Sequence, residues 1–483
     1  MRLSALARTT IAGADPEITG VTADSRAVKP GFLFAALPGT KADGGAFVQD
    51  AIAKGAGAVL GGEALRFQID ERCVGVIDQN PRQRLAQIAA RFYEKQPRTI
   101  VAVTGTNGKT SVASFVRQIW AALGLKAASF GTVGVVSPSG TKTLNHTTPD
   151  PVEIHRLLAG LVEEGVDHVA FEASSHGLAQ YRVDGVRMKA AAFTNLTRDH
   201  LDYHETFEAY EQTKLRLFGE VLPPGGVAVI NTDSSSAETF ARVARARGQR
   251  LIGVGEAGDL RIVSRVPDGD GQRLAVSWDG RSYTIDLPLA GAFQASNALI
   301  ATGLVLGLGA DAADVFHALG KLQGAPGRLE KIATAPSGAA VYVDYAHTPD
   351  ALETILSALR PHTRGRLWVV FGCGGDRDAG KRPLMGAAAK ALADRVIVTD
   401  DNPRSEDPSA IRRAVLQGAV GAQDIGDRAK AIEAAIMSAE ATDVVVIAGK
   451  GHETGQIVGR EVRPFNDAEE VRAAVARAKG MSA

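Results

Sequence analysis

The chain has 483 residues, 45% of them hydrophobic, and its 54 lysine and arginine residues balance its 54 aspartate and glutamate residues. This length predicts about three domains, and a neutral net charge provides no field that would attract nucleic acid or an anionic membrane. Cys73 and Cys373 are too few for a disulfide framework or a cysteine metal cluster. The N-terminus does not resemble a signal peptide, and the longest apolar run, residues 298–310, is too short to span a bilayer. We therefore expect a cytoplasmic protein.

Residues 1–97 combine short apolar runs with turns rich in glycine and proline, which predicts a small N-terminal α/β domain. The segment "EKQPRT" (94–99) is the expected linker. From 98 to 327, apolar runs such as "VDHVAFEASSHG" and "GVAVINTD" alternate with helical patterns, which favours a mostly parallel central sheet.

The pattern changes to period two on either side of Asp279-Gly280, which indicates a β-hairpin. Residues 328–483 return to strands, such as "LWVVFG", "RVIVTD" and "DVVVIAG", separated by helical stretches. This predicts a C-terminal Rossmann-like α/β domain. The expected fold is thus an α/β protein of three domains, with boundaries near residues 97 and 327.

A candidate phosphate-binding loop lies in "TIVAVTGTNGKTSVASFVRQIWAALG". A strand is predicted to end at Val103, and a helix with apolar residues at helical spacing runs to Gly124. The backbone N–H groups of such a loop bind phosphate oxygens, while Lys109 supplies positive charge and Thr110 offers a hydroxyl to Mg²⁺. Val103 replaces the first glycine of the full GxxxxGK[ST] pattern, so a glycine-rich turn with a solvated lysine is the alternative.

Other predicted strand ends carry acids and a histidine. Glu172 ends the strand in "HVAFEASSHG", where a carboxylate could reach Mg²⁺ bound to a nucleotide. Asn195, Asp199, His200 and Asp202 fall in one predicted loop before a helix. Each alone is more often a cap or a surface group; together, after a phosphate-binding loop, they suggest a second cation site.

The segment "RVIVTDDNPRSEDP" (395–408) places acids, an amide and an arginine where an apolar run ends. It predicts either a polar turn or a site for a ligand that carries both charges.

The motifs GTNGKT, EASSHGLAQYR, TNLTRDHLDYH, GRLE, DYAHTPD, GCGGDRD, DDNPR and GKGHE occur in this order over nearly the whole chain. In these motifs the sequence resembles the Mur ligases of peptidoglycan synthesis. The resemblance implies an ATP- and Mg²⁺-dependent enzyme that forms an amide bond through an acyl phosphate. It also implies UDP-N-acetylmuramoyl-L-alanyl-D-glutamate as the acid substrate, and we expect a monomer.

The resemblance also implies site residues. The implied catalytic residues are Lys109, Glu172, His200 and Lys214. The implied metal ligands are Thr110, Glu172, His200 and Lys214, the last as a carbamate. The implied ATP contacts are Gly105, Thr106, Asn107, Gly108, Lys109, Thr110, Ser111, Asn297, Arg328, Asp344 and His347. The implied contacts of the UDP-linked dipeptide are Ser25, Arg26, Thr147, Thr148, Ser174, Gln180 and Arg182. The family's usual HNxxN pattern near Asn297 reads Phe293-Gln294 at its first two positions here, which leaves the role of those two open.

In the family, DNPR marks the enzymes that add meso-2,6-diaminopimelate, an amino acid with a second zwitterionic end. The implied contacts of this amino acid are Arg377, Asp401, Asn402, Pro403, Arg404, Gly449 and Glu453. A lysine-adding ligase and a folylpolyglutamate synthase are the alternatives within this chemistry. A P-loop NTPase acting as a switch or motor, or a non-catalytic nucleotide-binding module, is the alternative from another class.

Overall fold

The computed structural model describes residues 1–11, 13–39, 43–69 and 71–481. The described chain forms two compact units. The first unit comprises residues 1–109, 116–254 and 303–310, and the second comprises residues 110–115, 255–302 and 311–483. The predicted domain boundaries near 97 and 327 remain predictions. In the described ranges, no helix combines the length and the apolar character needed to cross a membrane.

Strands and helices alternate along the first unit. Its strands are β1 (Gly20–Thr22), β2 (Phe32–Ala35), β3 (Ala58–Gly61), β4 (Val74–Ile77), β5 (Thr99–Thr104), β6 (Ala127–Gly131), β7 (Gly134–Ser137), β8 (Gly140–Lys142), β9 (His168–Glu172), β10 (Ala190–Phe193), β11 (Val227–Asn231) and β12 (Arg250–Gly255). Its helices are α1 (Leu3–Ala7), α2 (Val48–Ala53), α3 (Pro81–Tyr93), α4 (Lys109–Ala122), α5 (Pro151–Glu163), α6 (Ser175–Ala179), α7 (Leu201–His204), α8 (Phe207–Arg216) and α9 (Ala237–Ala246).

The first unit contains two sheets. Strands β1 to β4 form a small parallel sheet in sequence order. The larger sheet has the order β12-β11-β10-β5-β9-β6-β7-β8 and is parallel from β12 to β6. Strand β5 is central and buried along its whole length, as expected for a parallel strand covered on both faces. In parallel register, Val103 of β5 is opposite Glu172 of β9, and Thr104 is opposite Phe193 of β10. The carboxyl ends of these three strands therefore meet at one edge.

The second unit is also α/β. Its strands are β13 (Leu260–Asp268), β14 (Gly271–Trp278), β15 (Arg281–Leu287), β16 (Glu330–Thr334), β17 (Ala340–Asp344), β18 (Leu367–Phe371), β19 (Arg395–Val398), β20 (Gln423–Asp424), β21 (Val444–Ala448), β22 (Gly455–Val458) and β23 (Glu461–Pro464). Its helices are α10 (Ala292–Gly307), whose last turns belong to the first unit, α11 (Ala312–Leu319), α12 (Pro349–Leu359), α13 (Lys381–Leu392), α14 (Pro408–Leu416), α15 (Arg428–Ser438) and α16 (Asp467–Met481).

Strands β13 to β15 form an antiparallel meander. Asp279 and Gly280, between β14 and β15, have φ values of 50° and 72°, the left-handed pair that a tight hairpin turn requires. The hairpin predicted at this dipeptide is confirmed.

The six-stranded sheet of the second unit has the order β16-β17-β21-β18-β19-β20, parallel except for the β16–β17 pair. Alternate residues of β17 point to opposite faces. Tyr342 belongs to the core that includes Leu352 and Met385 of α12 and α13, whereas Val341 belongs to the core that includes Ile432 of α15. Helices thus cover both faces of a mostly parallel sheet, which confirms the Rossmann-like prediction.

Candidate active site

The candidate phosphate-binding loop lies between β5 and α4, as predicted, although β5 extends one residue further, to Thr104. Gly105 has φ 146°, and a Cβ there would collide with the Thr194 hydroxyl, so only glycine fits. The loop is fastened to the residues after β10: the backbone N–H of Thr106 donates to the Asn195 carbonyl at 2.8 Å. The residues that follow β10 therefore hold the loop in its observed conformation.

Lys109 opens helix α4, and its Nζ donates to the carbonyl oxygens of Gly105 and Thr106 at 2.9 and 2.7 Å. Thr110 and Ser111, both buried, follow in the first turn of this helix. The backbone N–H groups of a first helical turn have no partner within the helix, and the helix dipole favours an anion there. The first turn of α4, with the Lys109 ammonium beside it, is therefore suited to bind an anion such as phosphate.

Lys214 of α8 reaches this loop from 109 residues away in sequence. The residue is 1% exposed, and its Nζ donates to the Gly105 carbonyl at 2.8 Å and lies 4.4 Å from the centre of the Tyr210 ring. Burial first, and the nearby Lys109 ammonium second, hold the Lys214 pKa well below its ordinary value. Burial also raises the pKa of Tyr210 to about 12, and its hydroxyl lies 3.2 Å from the Thr106 hydroxyl. The Lys214 amine thus lies where its neutral form, the form that reacts with CO₂, is favoured.

Glu172 ends β9 as predicted and is 1% exposed. One carboxylate oxygen accepts from the Thr132 backbone N–H at 2.7 Å, and the other accepts from the Thr132 hydroxyl at 3.0 Å. A Cβ at Gly131 would collide with this carboxylate, so the glycine makes room for it. The Thr132 hydroxyl also lies 3.1 Å from the Thr147 hydroxyl. A short chain of hydroxyl groups therefore joins Glu172 to a predicted dipeptide contact.

Four other predicted dipeptide contacts surround the same strand end. The Thr148 hydroxyl donates to the Glu172 carbonyl at 2.8 Å and accepts from the Ser174 N–H at 3.0 Å. Arg182 donates through Nη1 to the Thr148 carbonyl at 2.6 Å and through Nη2 to the Gln180 side-chain oxygen at 2.8 Å. Ser174 also caps helix α6. The structure thus brings Thr147, Thr148, Ser174, Gln180 and Arg182 together.

His200 has an exposed imidazole, with Nε2 3.6 Å from a carboxylate oxygen of Asp199. Asp202 lies in the short helix α7 rather than in a loop, so the predicted single loop before a helix is wrong at this point. The His200 ring packs against His176 and Tyr210, with 5.1 and 6.2 Å between ring centres, and Tyr203 and His204 join this cluster through His176. None of these four residues was predicted as a site residue.

Ser25 and Arg26 lie in a short 3₁₀ turn, Ser25–Ala27, after β1. The exposed Arg26 guanidinium forms an ion pair with Asp24 at 2.8 Å. In the part of the chain that the structure describes, no hydrogen bond or ion pair links these two residues to the phosphate-binding loop or to Glu172.

Asp344 ends β17 in the second unit and is buried. Its two carboxylate oxygens accept from the backbone N–H groups of Leu329 and Ala346 at 2.6 and 2.7 Å. Burial is the main reason that its pKa rises to about 6, while Arg328 and the two N–H groups oppose the rise. The Arg328 guanidinium lies 4.9 Å from the centre of the Tyr345 ring.

His347 and Asn297 lie in the same unit as Arg328. His347 Nδ1 is 2.8 Å from the Tyr345 carbonyl. Asn297 donates to the Gln294 side-chain oxygen at 3.4 Å, and Gln294 donates in turn to the Arg328 carbonyl at 2.9 Å. Gln294, at one of the positions where the sequence departs from the family pattern, therefore connects Asn297 to the segment that carries Arg328.

A second group of candidates follows the neighbouring strands β18, β19 and β21. Because the carboxyl ends of parallel strands meet at one edge, the loops carrying Arg377, residues 401–404 and residues 449–453 lie together. We call these residues the strand-end cluster. A Cβ at Gly449, where φ is 118°, would lie 2.8 Å from an oxygen of Asp401, so glycine permits this close approach.

Lys450, within the GKGHE motif but not predicted as a site residue, is 0% exposed. Its Nζ donates to the Asn402 side-chain oxygen at 3.1 Å, to Glu453 Oε2 at 2.8 Å and to the Gly455 carbonyl at 2.7 Å. The Asn402 side-chain oxygen also accepts from the Ile457 N–H at 2.9 Å. In this structure that oxygen is therefore used by donors of the protein itself.

Arg404 has φ 51°, and its backbone N–H donates to the Ile457 carbonyl at 3.0 Å. Its Nη1 donates to the Gly375 carbonyl at 2.8 Å, and within the described residues the guanidinium forms no ion pair. Pro403 is buried, and its carbonyl lies so close to Gly375 that a Cβ there would collide with it. Arg377 is exposed. The structure thus presents a fixed backbone from which two arginine side chains extend.

A fully buried ion pair lies next to the strand-end cluster. Arg428 of α15 donates through Nε and Nη2 to the two carboxylate oxygens of Asp467 in α16, each at 2.7 Å. Nη2 also donates to the Ala448 carbonyl at 3.0 Å, the last residue of β21 before Gly449. Two helices and a strand end are therefore joined at one guanidinium.

Comparison with known proteins gives this chain a family. Three sequence profiles match it in order: "Mur ligase family, catalytic domain" at residues 17–93, "Mur ligase middle domain" at 103–305, and "Mur ligase, glutamate ligase domain" at 327–451. A curated relative from Bradyrhizobium diazoefficiens, named UDP-N-acetylmuramoyl-L-alanyl-D-glutamate--2,6-diaminopimelate ligase, is 55% identical over 467 residues, or 95% of each chain. The chain belongs to the Mur ligase family.

Solved structures agree with the fold of this Mur ligase. A structure of a UDP-N-acetylmuramoyl-L-alanyl-D-glutamate--2,6-diaminopimelate ligase has a TM-score of 0.76 and 34% identity, and the match covers 99% of both chains. A structure of MurF ligase from Thermotoga maritima in complex with ADP has a TM-score of 0.62 at 17% identity, with 96% of this chain and 98% of that chain covered. The second likeness concerns the fold alone. The predicted α/β class, with its central mostly parallel sheet, is confirmed.

Several residues that contact the candidate site residues or their loops were not predicted from the sequence: Thr132, Tyr210, Lys450, Arg428 and Asp467. Lys450 could have been found, because a lysine inside a motif between two implied ligand contacts is a candidate in its own right. The others carry no local pattern that separates them from ordinary core or surface residues.

Proposed function

We propose that this Mur ligase adds meso-2,6-diaminopimelate to the D-glutamate of UDP-N-acetylmuramoyl-L-alanyl-D-glutamate, with ATP converted to ADP and phosphate. The observation that carries the proposal is the 55% identity, over 95% of the chain, to the Bradyrhizobium diazoefficiens relative of that name. The strand-end cluster supports it, since a guanidinium without an acidic partner suits a carboxylate-bearing acceptor.

The phosphate-binding loop is the proposed site for the ATP phosphates. The ADP bound to the Thermotoga maritima MurF ligase is consistent with this role. Gly105, Thr106, Asn107 and Gly108 would surround the phosphates, with Lys109, Thr110 and Ser111 in the first helical turn. The N–H groups of Thr106 and Asn107 now donate to Asn195, so they would change partner if they bind phosphate. Lys109 Nζ, which now donates to two loop carbonyls, would turn to the phosphates when they bind. From the second unit, Asn297, Arg328, Asp344 and His347 are the proposed nucleotide contacts.

The proposed reaction has two steps. A carboxylate oxygen of D-glutamate attacks the γ-phosphorus of ATP, the bond to the bridging oxygen breaks, and ADP leaves. The uncharged amine of the acceptor then attacks the carbonyl carbon of the acyl phosphate, loses a proton, and expels phosphate as the amide forms. Lys109 offsets the repulsion between two anions in the first step. Thr147, Thr148, Ser174, Gln180 and Arg182 would hold the dipeptide, and Ser25 and Arg26 the uridine diphosphate.

The proposed metal ligands fit Mg²⁺ by their chemistry. Mg²⁺ prefers oxygen ligands and is commonly held by one or two carboxylates together with nucleotide phosphates. The buried Glu172 carboxylate and the Thr110 hydroxyl are such oxygens, and a carbamate on Lys214 would add another, with His200 as a proposed further ligand. Bound Mg²⁺ would supply positive charge to the transferring phosphoryl group.

The strand-end cluster is the proposed acceptor site. Arg404 and Arg377 would bind the distal carboxylate of diaminopimelate, while Asp401 and Glu453 would accept from its distal ammonium. Asn402, Pro403 and Gly449 would shape the pocket. A lysine acceptor would leave Arg404 without its carboxylate, which disfavours lysine. Because two of the proposed substrates, ATP and the UDP-linked dipeptide, are nucleotides, we also propose a cytoplasmic location.

An acceptor panel tests the proposal. Purified protein is given ATP, Mg²⁺ and the UDP-linked dipeptide with meso-diaminopimelate, L-lysine or L-ornithine, and both ADP and the ligated product are measured. We expect product and acceptor-dependent ADP release with diaminopimelate. Equal use of L-lysine would refute the acceptor assignment. A rate of ADP release that is the same with and without each acceptor would favour a switch or motor NTPase.

A further inference from the structure

The Lys450 ammonium is the most completely enclosed cation of the strand-end cluster. Its side chain is 0% exposed, whereas the side chain of its ion-pair partner Glu453 is 33% exposed. All three Nζ hydrogens have an acceptor within hydrogen-bond distance: the Asn402 side-chain oxygen, Glu453 Oε2 and the Gly455 carbonyl. The ammonium has no N–H left for a ligand, so any role in binding must act through these partners.

These contacts fix which way the Asn402 amide points. Its oxygen accepts from Lys450 Nζ and from the Ile457 N–H, so both lone pairs are used. Its Nδ2 must then face Glu453 Oε2, which it meets at 2.9 Å. A flipped amide would place NH₂ against the Lys450 ammonium, two donors with no acceptor between them. The lysine therefore selects one amide orientation.

The same contacts fix the Glu453 carboxylate. Oε2 accepts from both Lys450 and Asn402, at 2.8 and 2.9 Å. Oε1 has no hydrogen-bond partner within the described residues, and the side chain is partly exposed. Oε2 is thus held by hydrogen bonds within the protein, while Oε1 is left to bind a ligand.

We propose that Lys450 is a positioning residue for the acceptor amino acid, holding Glu453 and Asn402 so that the open Glu453 oxygen meets the acceptor's ammonium group. This inference rests on the proposed function, because it concerns the same acceptor site. Lys450 also offsets part of the negative charge of Glu453, its ion-pair partner at 2.8 Å, while the second carboxylate oxygen keeps an attraction for an ammonium.

The test compares Lys450→Met with the matched control Lys390→Met, at an exposed lysine of α13. In Lys450→Met, Asn402 and Glu453 each lose a charge-assisted hydrogen bond and are no longer held in position. We therefore expect KM for diaminopimelate to rise about 10- to 100-fold. KM for ATP and for the UDP-linked dipeptide should stay within about twofold, because Lys450 touches neither proposed site. A merely structural role would instead lower kcat or move all three KM values together, and that result, or an unchanged KM for diaminopimelate, overturns the proposal.

A double-mutant cycle with Glu453→Gln identifies the route of the effect. If Lys450 acts through Glu453, adding Lys450→Met to Glu453→Gln should raise KM for diaminopimelate by less than about threefold more, whereas independent effects would multiply. Lys450→Gln, which keeps hydrogen-bond donors, replaces Lys450→Met if that variant does not fold, and should show a smaller rise in the same KM. Inactive wild-type protein would refute the proposed function; an active wild type with multiplying effects refutes this inference alone.

Discussion

Replacing Arg404 with alanine should separate acceptor binding from nucleotide binding. The Arg404 backbone is held by the Ile457 carbonyl and by Gly459, whose N–H donates to the Arg404 carbonyl at 2.7 Å. Alanine keeps the same φ of 51° and the same backbone contacts, so the substitution removes the guanidinium and little else. Within the described residues, the short hydrogen bond that it breaks is the 2.8 Å bond from Nη1 to the Gly375 carbonyl.

The expected size follows from the carboxylate that the guanidinium would bind. Hydrogen bonds to charged groups contribute about 1.5 to 3 kcal/mol each, and a fork binds a carboxylate with two. Two such bonds amount to about 3 to 6 kcal/mol, so at tenfold for every 1.4 kcal/mol, KM for diaminopimelate should rise about 140- to 20,000-fold. Arg404→Lys keeps the charge but not the fork, so its KM should fall between those of the wild type and Arg404→Ala.

The assay is steady-state ligation with ATP and the UDP-linked dipeptide saturating and the acceptor varied. Arg413→Ala, at an exposed arginine of α14, is the matched control. The preference for diaminopimelate over L-lysine should fall together with the affinity, since L-lysine lacks the carboxylate. An unchanged KM for diaminopimelate in Arg404→Ala, or an equal loss for L-lysine, would show that Arg404 does not bind the distal carboxylate.

Three further predictions concern buried groups. Asp467→Asn should lower the free energy of unfolding by about 3 to 5 kcal/mol in chemical denaturation, because Arg428 would remain buried without its anion; Glu433→Gln, at an exposed ion pair, should cost less than about 1 kcal/mol. Removing CO₂ from the assay should lower activity and bicarbonate should restore it, whereas Lys214→Ala should stay inactive in both. The Asp344 pKa of about 6 exceeds its ordinary 3.8, so the stability that its protonated form contributes is present below about pH 4 and lost as pH rises through about 6. The shift of about 2.2 pKa units corresponds to about 3 kcal/mol at 1.36 kcal/mol per unit, and the stability of wild type relative to Asp344→Asn should fall by about 2.4 kcal/mol of this between pH 4 and 7.

Each of these has a contrary outcome. Similar costs for Asp467→Asn and Glu433→Gln would mean that the buried ion pair adds nothing beyond a surface pair. Activity that is indifferent to CO₂ would argue against a carbamate on Lys214. A stability difference between wild type and Asp344→Asn that does not change with pH would mean that burial does not raise the pKa of the Asp344 carboxyl.

Local chemistry explains which parts of the fold could be predicted from sequence. The Asp279-Gly280 turn needs two residues in the left-handed conformation, and few dipeptides adopt it readily. The local sequence therefore specifies the hairpin. The phosphate-binding loop is similarly local, because strand, glycines and helix follow one another. The helix that holds Asp202 was missed, since Leu201–His204 form only one turn and show no helical periodicity.

Long-range contacts explain the rest. Lys214 lies in an ordinary helical pattern, and its burial exists only because the chain brings it against Gly105, 109 positions away. Thr132 and Arg428 likewise gain their importance from partners that no sequence window contains. A motif can mark candidate residues of a site, as GKGHE does for Glu453, but it does not tell which of them would touch a ligand and which hold their neighbours in place.

The buried ion pair of Arg428 and Asp467 makes helix α16 important for the loop that follows β21. Asp467 is the first residue of α16, so a chain truncated just before it lacks the anion of this pair. The loss would leave an unpaired buried cation next to the Ala448 carbonyl, immediately before Gly449. Truncations that remove α16 should thus impair the protein severely, and a tag inserted after α16 should be tolerated far better than the loss of this helix.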